Sequence, residues 1–549
     1  MKHWIFVFLL IAVGLLVYAN AVGNSFIWDD GALIVNNPLI KNFQYWKGIF
    51  TSSYSGNNTY YRPLSIFSHL LEYSLWGLNS AGYHLVNIII HILNALLIYA
   101  LLQLVLKKRA VAMIASLLFL VHPIQTEQVT YISGRCGLLA AFFILAAFIF
   151  YILYSKKKSI FPTGRYLIFY ILSLACFSFG LLSKESAVVL VALLILYDFN
   201  LPSRKKILQY LPFIIIILFY AFFRHSLGIN SINFSSVLPG LTLRAFTMVR
   251  VLIVYIGLLF LPLNLHSERL TEIITPFSGD AILSVALTFL IIFFIVKLWR
   301  SSRENSFAVG WFFVTLFPGS QIIPISVQGY LFTAEHFLYL PCVGGFVLIA
   351  CFGLKLIDNK IVSKEAAKCI FVAILIFYSL LTFERNIQWR SPLHFYQLTA
   401  KASAHSPRIH VLLGNTYNYS GEYDKAIAEF KQAIALRENY TMAYNNLGIA
   451  YAKKKDYLKA RQQFDTIIKS GRGNYHSYSN LGFIDSKQGR LNEAIDNYKK
   501  AIKINPNLPD AYSNLGAAYF DQGLKEDARR QWQKALEIDP DFLKKRSLR

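Results

Sequence analysis

The chain is short of charge, of cysteine and of acid. Only 15% of its 549 residues are Asp, Glu, Lys or Arg, against 55% hydrophobic. That is too little charge to coat several water-soluble domains, and the mean hydropathy of +0.44 is that of a chain crossing a bilayer repeatedly. The five cysteines, Cys136, Cys176, Cys342, Cys351 and Cys369, sit in or beside hydrophobic stretches with no Cys-x-x-Cys pair, which excludes a zinc site or disulfide framework built on that spacing. Acids number 30 against 54 bases, a net charge of +24. The bases cluster between hydrophobic segments and in the C-terminal part, so membrane topology and lipid phosphates explain them before nucleic acid does. No Walker loop, no GxGxxG opening a βαβ unit and no Ser-His-Asp set is present. Readings as an ATPase, a nucleotide-cofactor enzyme or a hydrolase are therefore poor.

What is abundant is long apolar sequence. Hydrophobic segments run near 4–20, 84–106, 110–121, 138–154, 166–182, 187–199, 207–223, 245–262, 281–299, 307–323, 336–354 and 369–383. No convincing small-residue cleavage site follows the first, so it reads as a retained helix. Lys107-Lys108-Arg109, Lys156-Lys157-Lys158, Arg204-Lys205-Lys206, Lys297 to Arg303 and Lys355 to Lys368 orient the segments as cytoplasmic loops. The N-terminus is then cytoplasmic, and the Asp29-Asp30 loop and everything after Arg385 lie outside. Twelve crossings would reverse that end, so 245–262, which carries Arg250, reads as re-entrant, interfacial or packed on the outer face. The expectation is about 11 crossings.

From Arg385 the composition turns polar and a 34-residue repeat begins. Leu-Gly recurs at Leu413-Gly414, Leu447-Gly448, Leu481-Gly482 and Leu515-Gly516. In phase come Ala426, Ala460, Ala494 and Ala528, then Phe430, Phe464, Tyr498 and Trp532. Period and phase both match tetratricopeptide repeats, helix pairs stacked into a solenoid with a concave, peptide-gripping face. The predicted architecture is all-α: a polytopic bundle over 1–385, a connecting half-repeat over 386–405 and about four repeats over 406–549.

The acids and bases of the outer segments could carry chemistry. Asp29 and Asp30 leave the first segment in Phe26-Ile27-Trp28-Asp29-Asp30. Charges are costly in hydrocarbon, so the pair belongs at the water interface, as a catalytic base, a metal ligand pair or a solvated helix cap. Tyr60-Tyr61-Arg62-Pro63 follows, then Asn87, His91 and Asn94 on one helix face, read either as site residues or as interhelical hydrogen bonders. Later loops hold His122 to Glu127, Ser133-Gly134-Arg135, Lys184-Glu185 and Glu335-His336. Lys184-Glu185 reads as a surface ion pair or a recessed functional one. The set suits transfer from a lipid phosphate carrier: a carboxylate takes the proton of an attacking hydroxyl, and Arg and Lys meet the charge of the departing phosphate.

In this order the motifs resemble the transmembrane and tetratricopeptide repeat-containing (TMTC) O-mannosyltransferases and their prokaryotic relatives. The carriers are Trp-Asp-Asp, Tyr-Arg-Pro-Leu, Asn…His…Asn, His-Pro-Ile-x-Thr-Glu, Gly-Arg, Ser-Lys-Glu, Ala-Glu-x-x-Leu-Tyr-Leu-Pro and Arg-Asn-x-x-Trp. The resemblance covers almost the whole chain. It implies a GT-C fold and inverting transfer of a sugar, usually mannose, from a polyprenyl- or dolichyl-phosphate donor to Ser/Thr of acceptor proteins bound by outward-facing repeats. It implies an essential carboxylate pair at Asp29-Asp30. It implies donor-phosphate or substrate contacts from Arg62, His122, Glu127, Arg135, Lys184, Glu185, Glu335 and His336. No cofactor is expected with certainty; a divalent cation on Asp29 and Asp30 is the one candidate. Membrane lipids are expected partners and nucleic acid is not. A multi-pass protein of the bacterial inner membrane is expected, or of the endoplasmic reticulum in a eukaryote. Two departures stand out: Cys136-Gly137 where the family usually has Ala-Asp, and His336 where it usually has Arg. The other readings are a membrane-anchored repeat scaffold without catalysis and a lipid-linked glycan ligase.

Overall fold

A computed structural model describes residues 2–54, 60–157, 164, 166–199, 207–229, 241–272, 278–320 and 330–540. Lys158, Arg204-Lys205-Lys206 and most of the loop before Glu335 lie outside the described residues. The chain divides into two compact units, Met1–Phe395 and Tyr396–Arg549.

Every hydrophobic segment of the first unit contains a helix, but the helices differ in reach. Six segments are long and apolar enough to cross a bilayer: His3–Gly23, Ser80–Leu106, Ile132–Lys156, Ile207–Ser226, Gly279–Ser301 and Lys364–Gln388. A seventh arises if Arg109–Val121 and Pro123–Thr130, bent by 54°, count as one broken span. The expected 11 crossings are not reached among the described residues. The reason is length: 13 residues in Arg109–Val121, 11 in Val189–Phe199 and 14 in Arg303–Leu316 rise only about 16–21 Å, short of a ~30 Å hydrocarbon core. Leu241–Phe260, a 20-residue helix carrying Arg244 and Arg250, is not among the six.

The core of this unit centres on Ser80–Leu106, Arg109–Val121 and Arg135–Lys157, whose apolar faces join one buried cluster running from Phe6 to Tyr378. The Asn87, His91 and Asn94 face is turned into it and pins neighbours. Asn87 donates to the carbonyls of Val129 and Tyr131 at 3.0 and 3.1 Å. His91 lies 2.8 Å from the Tyr339 hydroxyl, and Asn94 donates to that hydroxyl at 3.0 Å. The interhelical reading holds for these three residues. One addition to the all-α expectation is a two-stranded antiparallel pair, Arg269–Glu272 with Tyr330–Thr333. Its register sets Arg269 opposite Thr333, two residues before Glu335.

The second unit is the repeat array. Helix pairs Pro407–Tyr419/Tyr423–Leu436, Thr441–Lys453/Tyr457–Lys469, Tyr475–Lys487/Leu491–Ile504 and Pro509–Asp521/Lys525–Ile538 follow one another. The repeated glycine is where paired helices touch. A Cβ on Gly414, Gly448, Gly482 or Gly516 would lie 2.5–2.9 Å from the ring of Phe430, Phe464, Tyr498 or Trp532. Ala426, Ala460, Ala494 and Ala528 are fully buried beside those rings.

Candidate active site

Asp29 and Asp30 part company in the structure. Asp30 is buried, and both its oxygens are taken: Oδ2 accepts from the Ile27 amide at 3.0 Å, and Oδ1 from the Ser133 amide at 2.9 Å and the Ser133 hydroxyl at 2.5 Å. Burial pushes its carboxyl up to about 7, against the lowering by these hydrogen bonds. It ties the first outer loop to the turn before Arg135. Asp29 is exposed, and its carboxylate has no hydrogen-bond or ion partner among the described residues. Its amide donates to the Tyr131 hydroxyl at 3.2 Å. Trp28 beside it is held in the left-handed region at φ +59, its ring against Tyr131 and Phe395 at 5.9 and 5.8 Å. A bulky residue there costs about 1–3 kcal/mol, and such strain gathers at functional sites.

Arg62, at the entry to helix Pro63–Trp76, anchors a group of cations. Its Nε donates to Glu185 Oε2 at 3.0 Å, its guanidinium covers the Tyr60 ring at 4.4 Å and the Tyr54 ring at 5.2 Å, and Nη1 reaches Cys136 Sγ at 3.6 Å. Arg224, from the last turn of Ile207–Ser226, approaches the other Glu185 oxygen at 3.9 Å, and the Tyr61 amide donates to it at 3.3 Å. Burial raises the Glu185 carboxyl, but Arg62, Arg224 and its own backbone outweigh that and hold it below its ordinary range. Lys184 does not pair with its neighbour: its ammonium has no hydrogen-bond or ion partner among the described residues. Burial, foremost, lowers its pKa. Arg62, Glu185, Cys136 and Glu127 all lie within its electrostatic reach. Tyr54 links this group to the first loop, being within reach of both Arg62 and Asp29. The buried hydroxyls of Tyr54 and Ser65 lie near each other, neither with a geometrically formed hydrogen bond among the described residues. Buried polar groups are nearly always satisfied, so these two hydroxyls near Arg62 are free to meet a polar group.

A second group adjoins the first through Glu127. Glu127 is buried and grips His336, Oε1 lying 2.8 Å from Nδ1 and Oε2 accepting the His336 amide at 3.0 Å. Glu335 accepts from the His266 amide at 2.5 Å and from Arg385 Nη2 at 3.3 Å, with Arg269 Nη2 at 3.9 Å. Burial first, with the nearby Glu127, raises its carboxyl, and Arg385 and Arg269 only partly offset this.

Two expected site residues go elsewhere. Arg135 is fully buried, and its donors are spent inside the protein: on Glu72 at 2.6 Å, Asn87 at 2.5 Å, Ser68 at 3.2 Å and the Tyr83 carbonyl at 3.0 Å. It closes a structural network and offers nothing to a phosphate. His122 is also fully buried; its Nδ1 caps the turn at Ile124 and its ring packs on Tyr378 at 4.6 Å. Asp29, Arg62, Glu127, Lys184, Glu185, Glu335 and His336 fall in the two adjoining groups. Tyr54, Arg224, Arg269 and Arg385 join them without having been singled out in the sequence. Of these, only Arg385 stood in a motif, Arg-Asn-x-x-Trp. As for a divalent ion, both Asp30 oxygens already accept hydrogen bonds, and among the described residues no three His, Cys, Asp or Glu side chains gather to hold a metal.

Comparison with known proteins follows the same lines. Residues 414–455 and 478–523 match the model of the TPR repeat, and 509–542 that of the tetratricopeptide repeat. The chain is 28% identical over 452 residues to the protein O-mannosyl-transferase F38B6.6 of Caenorhabditis elegans, covering 79% of this chain and 63% of the relative. It is 26% identical over 495 residues to the protein O-mannosyl-transferase TMTC3 of Mus musculus, covering 81% and 52%. Its homologues are TMTC-family proteins. The chain spans between half and two thirds of the length of these two relatives. Among solved structures, a crystal structure of MamA is 28% identical, covering 30% of this chain and 92% of its own, at a TM-score of 0.25.

Against the TMTC pattern, the departures acquire geometry. Where the resemblance leads to an acid after Gly-Arg, a Cβ on Gly137 would press on the Gln128 carboxamide nitrogen, so Gln128, which donates to the Gly134 carbonyl, would have to swing aside. Cys136 holds the Arg62 guanidinium instead, as a weak acceptor. All five cysteines are free thiols.

Proposed function

We propose that the chain is an integral-membrane glycosyltransferase of GT-C type that moves a sugar, mannose by analogy with its relatives, from a polyprenyl-phosphate carrier to Ser/Thr hydroxyls of extracytoplasmic proteins. The observation that carries the reading is the Asp29 carboxylate, without a hydrogen-bond or ion partner among the described residues, across Tyr54 from Arg62, whose counter-charge Glu185 is also approached by Arg224 and lies within reach of the Lys184 ammonium. Arg62 and the Lys184 ammonium, which has no hydrogen-bond or ion partner among the described residues, are cations suited to a lipid phosphate.

In the mechanism, Asp29 accepts the proton of the acceptor hydroxyl as its oxygen attacks the anomeric carbon. The bond from that carbon to the phosphate oxygen breaks, and the lipid phosphate leaves with the electron pair, which inverts the configuration. Arg62, Arg224 and Lys184 stabilise the leaving charge, so it needs no proton. Asp30 positions Asp29 by fixing the loop. Glu127 with His336, and Glu335 with Arg269 and Arg385, orient sugar or acceptor hydroxyls. The repeats bind the acceptor polypeptide; their groove, a cavity of about 560 Å³, is lined in part by Tyr475, Ser479, Asn480, Phe483 and Asn514. The charge pattern supports a cytoplasmic N-terminus with the repeats outside, and the membrane is taken to be a bacterial inner membrane.

The test is transfer from radiolabelled polyprenyl-phosphate mannose to a Ser/Thr-containing polypeptide by the purified full-length protein. Transfer that is lost in Asp29→Asn supports the assignment. Equal transfer by that variant refutes Asp29 as the base, and inert wild-type protein refutes this donor.

A further inference from the structure

Helix Ser80–Leu106 has 27 residues, about 40 Å of rise, so its far end lies a membrane's thickness from the candidate active site. There a small cavity of about 80 Å³ opens between that helix end, Tyr197 and the start of helix Arg303–Leu316. Its floor is apolar, made by Val105, Leu106 and Phe307, all buried. Its rim is cationic: Lys107 and Arg303 line it, both exposed, and neither side chain has a hydrogen-bond or ion partner among the described residues. Glu304, the one acid lining it among the described residues, is already engaged by Lys108 at 2.8 Å. Lys156 adds a third positive charge within reach of both, its ammonium donating to the Leu104 carbonyl at 2.9 Å.

A separate observation points the same way. Lys107 ends its helix in the left-handed region at φ +56. Glycine takes that conformation freely, whereas a residue with a Cβ is strained there. A lysine stands where a glycine would fold more easily, and it sets a charge at the mouth of the cavity.

We infer that this cavity binds the phosphate of an anionic phospholipid head group, on the side the charge pattern makes cytoplasmic. Lys107 and Arg303 take the phosphate oxygens, and the apolar floor receives the glycerol and the start of the acyl chains. Basic pockets between membrane helices on that side bind anionic head groups by this combination, and a free phosphate ion would have no use for the floor. The inference stands independently of the glycosyltransferase reading.

The experiment uses the full-length protein in dodecyl maltoside micelles and follows its thermal midpoint. Phosphatidylglycerol, phosphatidylcholine or inorganic phosphate is titrated against wild type and against Lys107→Gly combined with Arg303→Gln. Phosphatidylglycerol should raise the wild-type midpoint saturably, and the double variant should need about thirtyfold more of it, from the loss of two charges near a head group. The single variant Lys107→Gly should melt no lower than wild type without lipid, because glycine relieves the backbone, which separates lost binding from lost folding. An unchanged phosphatidylglycerol response in the double variant, or an equal response to phosphatidylcholine, overturns the proposal. An equal response to inorganic phosphate overturns the lipid assignment.

Discussion

Ser133 gives both its backbone amide and its hydroxyl to one oxygen of Asp30, at 2.9 and 2.5 Å, across 103 residues of chain. This clasp assigns different work to two adjacent acids. Asp29→Asn should abolish sugar transfer with a thermal midpoint within about a degree of wild type, since the exposed carboxylate holds nothing and surface changes of that kind usually stay within about 0.5 kcal/mol. Transfer assays paired with melting curves on one preparation check both halves.

Asp30→Asn should show itself in stability against pH. Burial raises the folded-state carboxyl to about 7, above its unfolded value near 3.9. A raised group contributes stability that is fully present below the unfolded pKa and is lost as pH rises through the folded one. The wild-type midpoint minus that of Asp30→Asn should therefore fall between about pH 4 and pH 7. A difference that is flat or rises across this window contradicts the buried, raised carboxyl.

Lys184 sets an alkaline limit. Burial lowers its pKa below the usual lysine range, so raising the pH removes its charge earlier than that of an exposed lysine. If that charge meets the departing phosphate, the transfer rate should decline on the alkaline side, and Lys184→Arg should move the decline upward, because a guanidinium keeps its proton. The pH–rate profiles of the two proteins decide it.

Arg135 should behave as structure. Arg135→Met leaves the buried Glu72 carboxylate without its arginine, with only the His69 ring at 3.0 Å beside it, and should cost about 3–5 kcal/mol. Adding Glu72→Leu should recover much of that loss, because an apolar pair replaces an ion pair more cheaply than half of one. Denaturation midpoints of the single and double variants test it. A phosphate-binding role would instead leave the double variant stable and still inactive.

How far the sequence could be read depended on whether a residue's role was local. The repeat array was legible because Gly448 and Phe464 recur in phase, and one meets the other within a single helix pair. The chain's apolar segments were legible for the same reason, but the number that reach across a bilayer was not, because 13 apolar residues look alike whether they span or stop short. Arg135 and His122 carried family-like motifs, yet their burial depends on Glu72, Ser68 and Tyr378, which come from elsewhere in the chain. Arg224 and Arg269 were missed because only the fold brings them to Glu185 and Glu335. Lys184 and Glu185 looked like partners, and the fold gives Glu185 to two arginines.

The helix contact at the repeats gives one more expectation. Gly448→Ala would press a methyl to 2.5 Å from the Phe464 ring and should destabilise the array by about 1–3 kcal/mol, the usual cost of overpacking. Phe464→Leu added to it should return part of the loss, read by circular dichroism melting.

Gln128 has a consequence for the redesign of this chain. Its carboxamide fills the ground above Gly137 that an acid would occupy in a TMTC-like sequence. Installing that acid alone creates a clash, and shortening Gln128 alone leaves a hole and frees the Gly134 carbonyl. The carboxamide is the end of a flexible side chain, so an acid at 137 would displace it at the cost of its hydrogen bond to Gly134, and trimming Gln128 in the same protein would relieve the contact.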